Sequence, residues 1–259
     1  MIPVDTSWRG FGGLHGGLVA AWLLEAATTR AAPSDSPAMR PAAITVSFVR
    51  PVDPSVPASV EADPLHRGRT TAMTLVRLSQ GGRICSQATV TSGAVSPGVA
   101  HWEPGVDLAG RREPTELTRF LPPPEVVEFA QHVDIRPLTS TTPGSRSAEP
   151  RYEAWVRLCD PAVAAELGPT GTAALLLDAM PPGLLALWPR PRPVPTVELT
   201  IHFAATTPEP AAWHHIGHET LWADASTCID QTELRTGGGL LVAVARQTRR
   251  IVEGDGARR

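Results

Sequence analysis

Two polar residues stand out because each sits in an otherwise apolar pattern, and a third opens a neighbouring strand. Asp178 is alone in Ala-Ala-Leu-Leu-Leu-Asp-Ala-Met, an otherwise apolar helical run. An unpaired buried carboxylate is costly, so Asp178 is either satisfied locally at the helix end or aimed at a reaction as an acid or base. Gln247 ends the inward face Leu241, Ala243, Ala245 of a strand with period-2 alternation, as a rim residue or as an aimed hydrogen-bond partner. Thr196 opens the strand Thr-Val-Glu-Leu-Thr-Ile-His-Phe and taken alone is an ordinary strand threonine.

A second group surrounds the first apolar helix. His15 precedes it in Gly-Leu-His-Gly-Gly, followed by Gly16 and Gly17, which permit close backbone approach. The free N–H groups of such a helix N-terminus suit an oxyanion or a phosphate. Glu25 is the lone carboxylate of that helix, either a charge reaching solvent or a second acid. Gly10-x-Gly12 lacks a preceding strand and is not a dinucleotide fingerprint. His214, His215 and His218 in His-His-Ile-Gly-His are read as solvated histidines, since Ile-Gly and a strand context argue against a metal site. Neither G-x-S-x-G nor H-E-x-x-H occurs.

Composition narrows the chemistry. The 259 residues carry 23 cations against 26 acids, a net charge of −3 that attracts no nucleic acid. Every cation is arginine, so Schiff-base, Ser–Lys and P-loop lysine chemistry is excluded. The cysteines Cys85, Cys159 and Cys228 are scattered, without a disulfide framework or a zinc motif. No basic-then-apolar leader opens the sequence, and no apolar run is long enough to span a bilayer. A cytoplasmic protein without cofactor or metal is the expectation.

The elements that must hold these residues repeat. A Gly-rich entry leads into an apolar helix (16–29), then strands 42–49, 60–63, 70–79 and 83–91, the last two joined at Gln80-Gly81-Gly82. A Pro- and Gly-rich stretch reads as a surface linker. After it come a strand at 151–158, a second apolar helix at 171–180 stopped by Pro181-Pro182, and strands 196–203, 218–224, 232–235 and 240–249. A constant offset of 155 places Gly16 on Gly171, Thr45 on Thr200, Phe48 on Phe203 and Gly82 on Gly237. Helices apolar on nearly every face need a sheet wrapped around them and a facing half. The expectation is therefore an α+β chain: an N-terminal unit at 1–95, a linker at 96–124 and a C-terminal unit at 125–259, pairing edge to edge.

Taken in order, these segments resemble the type II acyl-CoA thioesterase family, more closely its actinobacterial branch with two hotdog units in one chain. GGLHGGLVAAWLLEAA, ITVSFVRPVDP and HRGRTTAMTLVRLSQGGRICSQATV carry the likeness in the first half. RYEAWVRL, LLLDAMPP, PTVELTIHF and GGLLVAVARQT carry it in the second. The resemblance implies a double hotdog, two antiparallel sheets each wrapped around a long helix. It implies hydrolysis of acyl-CoA or acyl-carrier thioesters, with catalytic Asp178, Thr196 and Gln247. Asp178 would activate a water that Thr196 and Gln247 hold, and amides near Gly16-Gly17 or Gly171 would meet the oxyanion. His15, Gly16, Gly17, Glu25 and Gly171 are the expected substrate-binding residues, and a homo-oligomer is expected. At the constant offset the first half carries Leu23, Pro41 and Ser92, so one site per chain is implied. Where the family often has Asp-His after the Thr, this chain has Val197-Glu198-Leu199. Hotdog dehydratases, cyclases and lyases, with Glu25, His15 or Asp178 as acid or base, and non-catalytic acyl binders are the other readings the fold allows.

Overall fold

The computed structural model describes residues 6–30, 39–94, 102–190 and 192–252. Among the described residues, ten strands form one antiparallel sheet. In chain order they are β1 (Met39–Phe48), β2 (Ser59–Arg67), β3 (Thr71–Gln80), β4 (Arg83–Ala94), β5 (Val133–Pro137), β6 (Arg151–Leu158), β7 (Thr196–Phe203), β8 (His214–Ala223), β9 (Thr227–Thr236) and β10 (Leu241–Arg250). Across the sheet the order is β2-β3-β4-β1-β7-β10-β9-β8-β6-β5. The two expected sheets are thus continuous, joined where β1 meets β7. Gly81 and Gly82 both have positive φ and close the β3–β4 hairpin, as a two-residue mirror-image turn requires.

The seam between the halves falls on the sequence repeat. Along β1 and β7 the register pairs Ala43 with His202, Ile44 with Ile201 and Thr45 with Thr200. Thr45 therefore faces its own counterpart, and the two hydroxyls lie 3.1 Å apart in a hydrogen bond. A pseudo-twofold axis passes through this pair.

Two helices lie on the inner face of the sheet, α1 (Gly16–Arg30) and α2 (Pro161–Leu177). Leu18 and Leu23 of α1 and Leu175, Leu176 and Leu177 of α2 are fully buried in one core with Ile44, Val76, Leu199 and Leu234 of the sheet. The helices cross closely because small residues face each other. A Cβ on Gly17 would meet the Ala174 carbonyl oxygen and the Leu175 Cα at 2.8 Å, and one on Gly171 would touch the Ala21 Cβ at 3.5 Å.

The second helix differs from its sequence reading. It starts ten residues earlier than Gly171, at Pro161, behind Asp160, whose side chain accepts the Ala162 N–H at 2.8 Å. Asp-Pro is a cap followed by a residue suited to the first turn. Gly168, at φ +64°, kinks the helix ahead of Pro169. Strand β8 also starts earlier, at His214, so the histidine-rich stretch lies inside the sheet. His214, His215 and His218 are 1%, 8% and 1% exposed, which corrects their reading as solvated.

Candidate functional site

Asp178 follows the last turn of α2, ahead of Pro181-Pro182, and its side chain is 7% exposed. Its carboxylate is held from two sides. The Gly17 N–H, in the first turn of α1, donates to Oδ2 at 2.8 Å. Gln247 Nε2, on β10, donates to Oδ1 at 2.6 Å. The approach to α1 needs glycine, because a Cβ on Gly16 would sit 2.7 Å from Asp178 Oδ2 and 3.1 Å from the Phe48 ring. A helix N-terminus facing a carboxylate is electrostatically favourable, and these are charge-assisted hydrogen bonds.

His15 closes the third side. Its Nε2–H donates to the Asp178 carbonyl oxygen at 3.1 Å and lies 3.6 Å from Oδ2. Burial pushes the His15 imidazole below the usual histidine range, and the Asp178 charge and carbonyl only partly oppose this. The ring is therefore neutral near pH 7, with Nδ1 as its bare acceptor. That Nδ1, the Gln247 Oε1 and the Arg249 Nη2 are buried atoms without a hydrogen-bond partner among the described residues. All three belong to side chains that touch or face Asp178.

Beside Asp178 opens a cavity of about 350 Å³. Leu14, Val19, Phe48, Phe129, Ile135 and Met180 make it apolar, while His15, Gly16, Asp178, Thr196 and Arg249 bring polar groups to its wall. A largely apolar pocket with a few convergent polar groups is the usual form of a small-molecule site. Phe120 and Pro122 line it too. They belong to the stretch read as a surface linker, which instead folds back over the pocket: the Phe120 N–H donates to the Ile135 carbonyl oxygen at 2.8 Å.

The structure brings together most of the residues singled out from the sequence. Gln247 is 1% exposed and bonded to Asp178, so it is an aimed partner and no rim residue. Thr196 is half-buried on the cavity wall and pairs with Arg249 in the β7–β10 register. Three expectations need correction. Gly17 gives its amide to Asp178, so that N–H is not available to an oxyanion. Gly171 packs inside α2 against Leu167 and Ala21, away from the cavity, and begins no helix. Glu25 is exposed on α1 and is absent from the cavity wall.

Sequence reasoning missed Arg249, Asp230 and the burial of His218. Arg249 Nε lies 2.8 Å from Asp230 Oδ2, and its Nη2 lies 3.9 Å from Asp178 Oδ1. Asp230 is fully buried, accepts the Thr220 hydroxyl at 2.6 Å and lies 3.5 Å from His218 Nε2. Burial alone would raise the Asp230 carboxyl. The neighbouring His218 ring and Arg249 guanidinium outweigh it and hold the group below the usual carboxylate range. The signal for Arg249 was present: it is two residues beyond Gln247 on the same inward face of β10.

Comparison with known proteins gives the family and the fold. The acyl-CoA thioesterase N-terminal domain matches residues 4–93, and the acyl-CoA thioesterase C-terminal domain matches residues 106–251. The chain belongs to the acyl-CoA thioesterase family. Among solved structures, a hotdog-fold protein of unknown function from Alicyclobacillus acidocaldarius superposes with a TM-score of 0.81 at 22% identity, over 96% of this chain and 91% of that one. The acyl-CoA thioesterase II TesB2 of Mycobacterium marinum superposes with a TM-score of 0.74 at 18% identity, over 96% and 93%. Both show that this thioesterase-family chain has the double hotdog fold. An uncharacterized protein of Mycobacterium tuberculosis is 30% identical, and the match spans only 56% of each chain. No helix among the described residues is long and apolar enough to cross a membrane. No group of three or more His, Cys, Asp or Glu residues suited to a metal ion occurs among them either.

Proposed function

We propose that the protein hydrolyses acyl-CoA or acyl-carrier thioesters to a carboxylic acid and a free thiol, with Asp178 as general base. The observation that carries this reading is the Asp178 carboxylate, fixed by Gly17 and Gln247 at the wall of an apolar cavity. Two donors leave lone pairs on each oxygen, enough to accept a water proton. A carboxylate held from both sides loses little freedom when the water arrives, so binding is converted into positioning.

The acyl chain would lie among Phe48, Phe129 and Met180. A water between Asp178, Gln247 and Thr196 would face the thioester carbon. Gln247 Oε1 has no partner among the described residues, so the amide can donate to Asp178 while accepting from this water. The Thr196 hydroxyl, which makes no hydrogen bond among the described residues, is the further group available to it. The neutral His15 acts structurally, tying its ring to the Asp178 carbonyl. Arg50, on the cavity wall and exposed, is placed to meet a carrier phosphate.

The direct test follows thiol release from short-, medium-, long-chain and aromatic acyl-CoAs, with Asp178→Asn in parallel. Asparagine keeps the shape and accepts one of the two hydrogen bonds through its single carbonyl oxygen, while its NH2 faces the other donor and it cannot take a proton. Turnover by the wild-type protein that disappears in Asp178→Asn is the expected result. Equal rates in the two proteins would remove Asp178 from the mechanism.

A further inference from the structure

The proposed hydrolysis generates a negative charge on the substrate for which no donor has yet been assigned. When water adds to the thioester, the carbonyl oxygen becomes an oxyanion. Of the amides expected to meet it, the Gly17 N–H is committed to Asp178 Oδ2 and Gly171 lies inside α2 away from the cavity, which leaves Gly16 on the cavity wall. Beside Asp178 the cavity also offers a cation. Arg249 is 5% exposed and lines the cavity, and its Nη2 has no hydrogen-bond partner among the described residues. Its Nε side is paired with the fully buried Asp230 at 2.8 Å. The guanidinium is therefore held at its Nε edge by charge pairing with Asp230, without a hydrogen bond there, and carries a free N–H at Nη2 toward the Asp178 side. Its neighbours on the strand, Arg246 and Arg250, are exposed, so the inward placement of Arg249 follows the period of β10 and the presence of Asp230.

Resting on the hydrolase reading, we propose that Arg249 is a further catalytic residue: its Nη2–H binds the thioester carbonyl oxygen and holds the oxyanion formed as the water on Asp178 attacks. The 3.9 Å between Nη2 and Asp178 Oδ1 is too long for a direct hydrogen bond. It suits two oxygens side by side, a water about 2.8 Å from Oδ1 and a carbonyl oxygen about 2.9 Å from Nη2. In the step itself the water oxygen bonds to the carbonyl carbon, one water proton passes to Asp178, and the C=O π pair moves onto the oxygen facing Arg249. Collapse re-forms C=O and breaks the C–S bond. The thiolate takes the proton from Asp178, which leaves a carboxylic acid and a thiol. Asp230 is a positioning residue that fixes the guanidinium.

The experiment compares wild type, Arg249→Gln and Arg249→Ala on acyl-CoAs with neutral acyl chains, so that the charge Arg249 meets at the reacting carbon is the one the reaction creates. Loss of one oxyanion donor predicts a fall in kcat of about 10²–10³-fold with KM nearly unchanged. Guanidinium chloride well below denaturing concentration should restore part of the rate to Arg249→Ala, which a merely structural role would not allow. Arg249→Gln strands the Asp230 charge, so Asp230→Asn/Arg249→Gln is measured against Asp230→Asn alone, which keeps the cation. The same fall in kcat is expected within that pair. Unchanged kcat in folded Arg249 variants overturns the proposal and leaves the hydrolase reading standing. Absence of thiol release from wild type with every thioester overturns the hydrolase reading, and the Arg249 assignment falls with it.

Discussion

The two halves of the chain share a plan and differ in what they bury at corresponding places. On β10, Gln247 sits opposite Leu199 and Arg249 opposite Thr196. In the first half, Val90 sits opposite Ile44 and Ser92 opposite Pro41. Each strand pair has a register shift at the same end. Val90 therefore stands in the place of Gln247, and Ser92 in the place of Arg249, two residues off the constant sequence offset. Asp230 lies opposite Gln247 on β9, and Thr74 lies opposite Val90 on β3. Leu23 occupies the place that Asp178 takes by the offset. One half thus buries two carboxylates, a guanidinium and an amide where the other buries leucine, valine, serine and threonine. Buried charges rarely add stability over well-packed apolar residues. Their concentration in one half is a reason to look there for function.

The comparison breaks most severely at Asp178. Asp178→Asn should lower kcat by about 10²–10⁴-fold, the usual contribution of a positioned acid–base group. Ser92→Ala, at the matching end of the first half, should leave the rate of thiol release unchanged. A comparable loss from both would mean that the first half also contributes to the chemistry.

The next effect concerns the helix crossing, where the halves are also unequal. A Cβ on Gly17 would collide at 2.8 Å with backbone atoms of α2, whereas one on Gly171 meets side-chain carbons at 3.3 Å and 3.5 Å. Backbone cannot rotate away, so Gly17→Ala should cost about 1–3 kcal/mol and also slow turnover by moving the amide that holds Asp178. Gly171→Ala removes a flexible residue from a helix interior and should be close to neutral, since its gain in helix propensity, about 1 kcal/mol, offsets the tight contact. Chemical denaturation of the two variants, with thiol-release rates, separates them.

How legible all this was depends on which physics set each feature. Hydrophobic periodicity and turn glycines reveal β1, β3, β4, β6, β7 and β10, because side-chain burial on a sheet is a local pattern. The repeat offset of 155 is legible too, and the seam at Thr45 and Thr200 gives it a structural meaning. Asp178 and Gln247 show themselves because each breaks an apolar run. Asp230 did not, since it looks like an ordinary strand charge until the sheet places it against Arg249, whose inward turn the alternation from Gln247 already signals. The start of α2 was missed because the kink at Gly168-Pro169 hides a helix whose cap, Asp160-Pro161, lies beyond the break. The role of Gly17 depends on an α1–α2 contact that no local pattern encodes.

His15 offers a pH test of the same asymmetry. Its imidazole is held below its ordinary value of 6.5 by burial, so the unfolded chain binds a proton that the folded chain refuses. Stability should therefore fall as pH drops below about 6.5, toward the lower pKa of the folded state. Asp230 behaves oppositely in origin: its depressed pKa contributes stability above the ordinary carboxylate range that is lost only at strongly acidic pH. Thermal denaturation between pH 7 and pH 5 should show a slope that His15→Gln flattens. An unchanged slope in that variant would assign the dependence to another group, of which His214, also lowered by burial, is the first to examine.

The smallest effect should come from the seam itself. Thr45 and Thr200 are the point where the halves meet as equals, joined by one hydroxyl hydrogen bond at 3.1 Å on the exposed face of the sheet. Cross-strand pairs of this kind contribute roughly 0.2–1 kcal/mol. If the pseudo-twofold axis makes the two positions energetically alike, Thr45→Val and Thr200→Val should cost nearly the same. Each removes the bond once, so the double variant should cost little more than either single one. A double-mutant cycle by chemical denaturation measures this directly. Fully additive costs would mean that the hydroxyl pair contributes nothing and that backbone pairing alone joins β1 to β7 at this point. Unequal costs would show that the asymmetry of the buried charges, set by Asp178, Asp230 and Arg249, extends across the sheet to its own axis. In either case turnover should stay unchanged, because neither threonine lines the cavity.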